Sequence, residues 1–373
     1  MGEISLTYDL DAVRPFLPSG FVPDKAWPPI YRAARLFPRV LSGFEFSLGD
    51  STERVDFSAL LPVLPATWPQ AIQLQTCLKN VARNQRDFKT RAVWERLAAF
   101  LSQTEEDAPR SVSGQDIQEQ LWLEFDLDPD AVYLPIPRAF ISFILKQNGK
   151  VPSSEEIIVH VERALSKLYG HALNPMLSRR LHEFAGALPP GSVIRFCGTV
   201  LSGETPAVRI VVRTQETDDI LKICAQHAGW GGHWQTQEPF IANLLRVKGI
   251  FSVAMDVGLG DHTPKIGIEY KPMGQGDRRN AEDWQPMFDI LQREALCSPA
   301  KANGMMGWSG ETTTENTHGL HEPLGETLIF LGHTPQWRLV RDISHIKVDY
   351  YPNGVRHAKG YLAFWNAISR SGL

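Results

Sequence analysis

Between Ile250 and Lys271 the chain reads IFSVAMDVGLGDHTPKIGIEYK, two runs that alternate apolar and polar residues around a segment rich in turn formers. That pattern predicts a β-hairpin, because successive side chains on a strand point to opposite faces. Ile266, Ile268 and Tyr270 share one face, and Lys265, Glu269 and Lys271 share the other. The apolar face must be covered, whereas the charged face looks either at bulk water or into a polar cavity. The pattern alone leaves both options open.

The same division recurs along the chain. Phe44, Phe46 and Leu48 alternate with Glu45 and Ser47, and Val55, Phe57 and Ala59 alternate with Arg54, Asp56 and Ser58. Leu121, Leu123, Phe125 and Leu127 oppose Trp122, Glu124 and Asp126; the following segment, 132–137, carries two prolines and suits an edge, a bulge or a loop. Residues 140–146 suit either a strand or a helix. A hairpin over 193–213 places Arg195, Cys197 and Thr199 on one face of its first strand and Arg209, Val211 and Arg213 on one face of its second. Near the C-terminus, strand patterns at 327–331, 337–340 and 344–351 end with Ile346, Val348 and Tyr350 opposed by His345, Lys347, Asp349 and Tyr351.

Helical periodicity fills the intervals, at 69–103, 154–188, 218–226, 237–246, 284–294 and 301–306, and a last amphipathic helix is expected over 358–369. Residues 311–322 read as a polar loop. The first 40 residues are rich in proline and aromatics, with one short helix expected at 30–36. They form an arm packed on a single body spanning 41–373. Leu48 to Phe57 also aligns without gaps on Leu259 to Ile268, and each stretch precedes a tryptophan, Trp68 or Trp284, and a cysteine, Cys77 or Cys297. Repetition of a hairpin-plus-helix unit and common Gly-Asp-x-Thr turn chemistry both account for this echo.

Composition narrows the functional classes. The 373 residues are 43% hydrophobic and 21% charged, ample for a core, and a net charge of −4 argues against a general nucleic-acid binder. The four cysteines form no CxxC pair. No basic-then-apolar leader and no membrane-length apolar run is evident, so a cytoplasmic location is expected. Five hairpins make about ten antiparallel strands, enough to close a barrel and remove its edges. Helices outside would cover the dry faces, and the charged faces would line the lumen.

Repeated α-β-β-α units closing a ten-stranded barrel with a polar interior form a layout that resembles the ABBA aromatic prenyltransferases, over about residues 40–370. The resemblance implies an α+β fold and transfer of an isoprenyl group from an allylic diphosphate to an aromatic small molecule or a peptide side chain. The lumen candidates here differ from that family in being mixed in sign and poor in tyrosine. A leaving diphosphate needs fixed positive charge, for which Arg195, Arg209, Arg213, Lys265 and Lys347 fall on polar strand faces. Trp122 and Tyr351 would shield an allylic cation, and Glu124, Asp126 or Glu269 would take up the proton released. Mg2+ accompanying the diphosphate is the one cofactor in view.

Other constellations carry less. His318, His321 and Glu322 sit in a low-apolar loop and read as a chance cluster, Gly274 to Asp277 lacks the flanks of a dinucleotide site, and Gly229 to Trp234 reads as an aromatic lip or a helix cap and turn. No nucleophile elbow or Walker motif is present. The competing reading is a non-catalytic protein that binds a peptide or partner on open antiparallel sheets, with its charges facing water.

Overall fold

The structure, a computed structural model, describes residues 5–49, 55–62, 69–101, 117–128, 130–131, 133–145, 153–201, 207–227, 234–259, 265–273, 280–314 and 335–370. A pair of helices precedes each of five hairpins. Helices α1 (Thr7–Val13) and α2 (Trp27–Ala34) lead to β1 (Ser42–Ser47) and β2 (Val55–Pro62). Helices α3 (Pro69–Asn84) and α4 (Phe88–Phe100) lead to β3 (Ile117–Phe125) and β4 (Arg138–Leu145), and α5 (Ser154–Tyr169) and α6 (Pro175–Gly186) lead to β5 (Val193–Val200) and β6 (Val208–Arg213). Helices α7 (Thr217–His227) and α8 (Trp234–Leu244) precede β7 (Gly249–Val257) and β8 (Ile266–Pro272). Finally α9 (Ala281–Arg293), α10 (Pro299–Met306) and a short β9 (Gly310–Thr314) precede β10 (Pro335–Tyr350) and β11 (Arg356–Arg370).

Strands β1 to β8, then β10 and β11, pair antiparallel in that order, and β11 pairs back onto β1, so ten strands close a barrel. Strand β9 adds to the first half of β10, through Trp337–Arg341, and β8 pairs with the second half, through Ile346–Tyr350. The alternation in the sequence decides which way each strand faces. Leu121, Leu123 and Phe125, or Ile266, Ile268 and Tyr270, are buried against the helical jacket. Register is strongly specified, because a slip of one residue would exchange the apolar and charged faces.

The helices supply the matching apolar stripes. Helix α5 starts at a capping box, in which Ser153 and Glu156 satisfy each other's backbone N–H groups, and buries Ile158, Val161, Leu165 and Leu168. Helix α9 buries Trp284, Met287, Phe288 and Leu291. Leu6, Leu10, Val13 and Ile30 from the N-terminal segment join the same apolar core, and Arg39 ties Asp9 to Asn366 of β11. Among the described residues, no helix is long and apolar enough to cross a membrane.

Several local expectations are corrected. The segment expected as a C-terminal helix is strand β11, which hydrogen-bonds along nearly all of β10 and also seals β1; tertiary pairing overrides the helical preference of its Ala and Leu residues. The partner of β3 is β4, at 138–145, and the proline-bearing segment before it is only the connection. The start of the supposed 311–322 loop is β9, and the segments at 337–340 and 344–351 are one strand with a bulge between Ile343 and His345. Helix α2 begins at Trp27 rather than Ile30. The expected strand at 327–331 and the turns of the two echoing hairpins lie outside the described residues.

The seam where β11 meets β1 leaves no room for a side chain at Gly43, where a Cβ would overlap the Leu362 carbonyl oxygen. Gly43→Ala is therefore expected to pry the barrel open there and destabilise the fold by about 1–3 kcal/mol, the usual cost of overpacking. Chemical denaturation measures this; a loss below about 0.5 kcal/mol, the scale of an ordinary surface substitution, would contradict the tight seam.

Candidate active site in the barrel lumen

The polar strand faces converge inside the barrel around two adjoining cavities. The inner one, of about 310 Å³, is walled in part by Trp122, Glu124, Arg195, Arg213, Glu269 and Lys347. The other, of about 450 Å³, reaches Asp56, Asp126, Asp256 and Tyr351 at one end of the strands. Glu45, Arg138, Phe140, Arg209, Lys265 and Lys359 border both. Phe140 lies against Gly198 on the neighbouring strand, where any side chain would collide with its ring.

Cross-strand register converts most of these charges into pairs. Glu124 lies directly opposite Arg138, Arg209 opposite Asp256, and Lys347 opposite Glu269. Arg138 donates to Glu124 at 2.9 Å and to Asp126 at 2.7 Å, while Arg209 grips both oxygens of Asp256 at 2.8 and 2.9 Å. Lys265 donates to Asp349 at 2.8 Å, Lys347 to Glu269 at 3.3 Å, and Lys359 to Glu45. Burial raises the Asp256 carboxyl, but the Arg209 hydrogen bonds and charge outweigh it and hold Asp256 below its ordinary range.

Arg195 and Arg213 stand apart from this pairing. Neither makes an ion pair or hydrogen bond with any described residue, and the Nε of each is buried without a partner. Burial lowers the Arg213 pKa first, and the Arg195 charge lowers it further against the weaker pull of Glu269, so two like charges oppose each other in the lumen. Arg195 arrives by a device that alternation does not encode. The β5–β6 register runs Ile194 opposite Val212 and then Phe196 opposite Val211, which makes Arg195 the extra residue of a β-bulge. Arg195 and Phe196 therefore both face the inner cavity, and Cys197, expected on the face of Arg195, is buried in the apolar core instead.

On the opposite wall, Glu45, Asp56 and Glu124 each bring a carboxylate oxygen within 4.8 Å of the other two. Burial raises Glu124 first and the Glu45 charge next, against the pull of Arg138, so its carboxyl titrates at about 7. Glu45 goes the other way: burial raises it, but the Lys359 ammonium outweighs burial and holds it ionised. The trio does not fit magnesium, which requires near-octahedral oxygen ligation, because Lys359 and Arg138 already occupy two of the three carboxylates.

Of the residues nominated from sequence, Glu124, Glu269, Arg195, Arg209, Arg213, Lys265, Lys347 and Trp122 line the inner cavity. Asp126 and Tyr351 border only the outer one, so Trp122 and Tyr351 do not form one aromatic cage. Arg209, Lys265 and Lys347 are each neutralised by a carboxylate, which leaves Arg195 and Arg213 as the open cations of the five. Sequence reasoning missed Glu45, Arg138, Phe140, Lys359 and Tyr361. Lys359 and Tyr361 were hidden because their strand reads as a helix, although the alternation of Ala358, Gly360 and Leu362 against them is the signal that would have placed them. Glu45 was visible as a polar-face residue, but its proximity to Glu124 depends on β1, β2 and β3 lying side by side.

No family model and no curated protein matches the sequence. The fold is similar to that in the crystal structure of AnaPT from Neosartorya fischeri, with a TM-score of 0.50 and 13% identity, covering 90% of this chain and 80% of that one.

Proposed function

We propose that the protein transfers an isoprenyl group from an allylic diphosphate to an aromatic ring, on a small molecule or a peptide side chain, within its barrel. The observation that carries this reading is the pair Arg195 and Arg213, two guanidiniums with no ion-pair or hydrogen-bond partner among the described residues, facing the same cavity as Glu124. The barrel shared with AnaPT, together with the layout that resembles the ABBA aromatic prenyltransferases, supports it at the level of architecture. The open-sheet alternative requires Lys265, Glu269 and Lys347 on an outer convex face, yet their side chains are only 18%, 18% and 7% exposed, inside a closed barrel.

In this reading Arg195 and Arg213 hold the diphosphate through charge-assisted, bidentate hydrogen bonds. When the allylic C–O bond breaks, its electron pair goes to the diphosphate oxygen, and the two guanidiniums stabilise that charge in a water-poor site. Trp122, Phe140 and Tyr361 offer π-faces to the allylic cation without trapping it. The acceptor ring forms the new C–C bond and loses its ring proton to Glu124, whose pKa of about 7 suits a base at neutral pH.

Purified protein given a panel of isoprenyl diphosphates and aromatic acceptors is expected to release diphosphate. Arg195→Gln and Arg213→Gln are each expected to weaken donor binding by about tenfold or more, as the loss of a charged hydrogen bond does. Calorimetry reads this directly, and absence of both binding and turnover across the panel would end the proposal.

Glu124→Gln is expected to lower turnover by roughly a hundredfold while sparing donor affinity, and to abolish the rise in acceptor kcat/KM across pH 6 to 8. The same group predicts a stability effect. Its folded pKa lies above the unfolded value, so its contribution is full below about pH 4.5 and is lost as pH rises through 7. The melting temperature of Glu124→Gln relative to wild type should therefore improve between pH 5 and pH 8, and a pH-independent difference would contradict the raised pKa.

A further inference from the structure

The inner cavity holds one imidazole that the transfer chemistry above leaves unused. His345 follows Ser344, the extra residue of the β10 bulge, so two consecutive side chains enter the cavity. Its ring stacks on Tyr361, with centroids 3.9 Å apart and planes 15° from parallel, and its Nδ1 lies 3.0 Å from the Ser344 hydroxyl. Its Nε2 makes no hydrogen bond with any described residue. The ring is thus held in one orientation with one nitrogen free.

The charges around it come from every neighbouring strand. Glu269 and Lys271 face it from β8, Lys347 from its own strand and Glu45 from β1, and the Tyr361 phenol lies beside it on β11. Arg195 and Arg213 border the same cavity, and Glu269 acts on both Arg213 and His345.

We propose that His345 is a proton-accepting contact for the diphosphate, neutral in the empty barrel and charged to imidazolium when the polyanion settles beside Arg195 and Arg213. The inference rests on the donor-binding reading above and adds a third, conditional cation to that subsite. A permanently charged group there would add to the repulsion that Arg195 and Arg213 already exert on each other. An imidazole avoids this because burial, the largest influence on it, lowers its pKa to about 4 while the cavity is empty. Near-complete protonation at neutral pH then requires a roughly ten-thousandfold shift, within the several pKa units that nearby charges produce at buried groups. The proton comes from solvent on donor binding and stays on the imidazole while the diphosphate is present.

The test is calorimetry with inorganic pyrophosphate on the full chain at pH 7, in two buffers of different ionisation enthalpy, so that protons taken up per ligand are counted. Pyrophosphate's own titration contributes equally to wild type and to His345→Gln, so the difference reports the imidazole. Wild type is expected to take up about one proton more than His345→Gln, and its affinity to fall roughly tenfold more steeply between pH 6.5 and 8.5. His345→Phe, which keeps the stack on Tyr361, guards against a folding defect, and the imidazole 15N shifts of wild type on pyrophosphate addition give a reading that needs no variant. Equal proton counts, or an imidazole that stays neutral in the bound state, would overturn the role of His345 and leave the donor site standing. Failure of wild type to bind pyrophosphate at all would overturn both.

Discussion

A barrel that turns its ionic side chains inward must meet their desolvation cost within its own walls. Eight Lys and Arg side chains and seven carboxylates line the two cavities, and such groups would be better solvated outside. The cost is tolerable because antiparallel register brings opposite signs face to face, as with Glu124 and Arg138, Arg209 and Asp256, or Lys347 and Glu269. The greasy faces then have only one place to go, under the helices. Closure, ion pairing and the helical jacket are three consequences of one division of each strand into a dry side and a wet one.

Pairing alone would produce a neutral, inert plug. Two bulges break the regularity at the places where the cavity departs from that state. One adds Arg195 to the wall of β5 and the other adds Ser344 beside His345 in β10. Each puts two neighbouring residues on the same side, which a regular strand cannot do, and each delivers a group that no cross-strand carboxylate neutralises. A bulge in a barrel wall re-aims side chains at a cost in ladder hydrogen bonds, so its presence next to a cavity is informative.

Much of this architecture was legible in the sequence, and the failures have a common physical cause. The alternation in Lys265 to Lys271 or Leu121 to Leu127 is a local signal, and the strands it marks face as read. Strand β11 was misread as an amphipathic helix although Ala358, Gly360 and Leu362 alternate with Lys359 and Tyr361, and its pairing with β1 and β10 fixes it as a strand. Arg195 does face the cavity, but not by the alternation that grouped it with Cys197: the bulge separates the two. Which cations are open was beyond the sequence altogether, since it depends on which strands lie side by side and not on the residues of any one strand.

The distribution of charge, more than its amount, argues for what the lumen accepts. Lys359 and Arg138 quench the carboxylate wall of β1 to β3, and Glu124 is partly protonated near neutrality, so that side presents little net field. Across the cavity, the Arg195 charge lowers the Arg213 pKa, and neither guanidinium has an ion-pair partner among the described residues, which leaves a local excess of positive charge. A neutral or cationic ligand would leave that excess in place. A multivalent anion with a hydrophobic tail would relieve it and would set its tail against Trp122, Phe140 and Tyr361. The lumen is therefore least balanced electrostatically in one specific place, and under the proposed function that asymmetry is what selects the diphosphate donor.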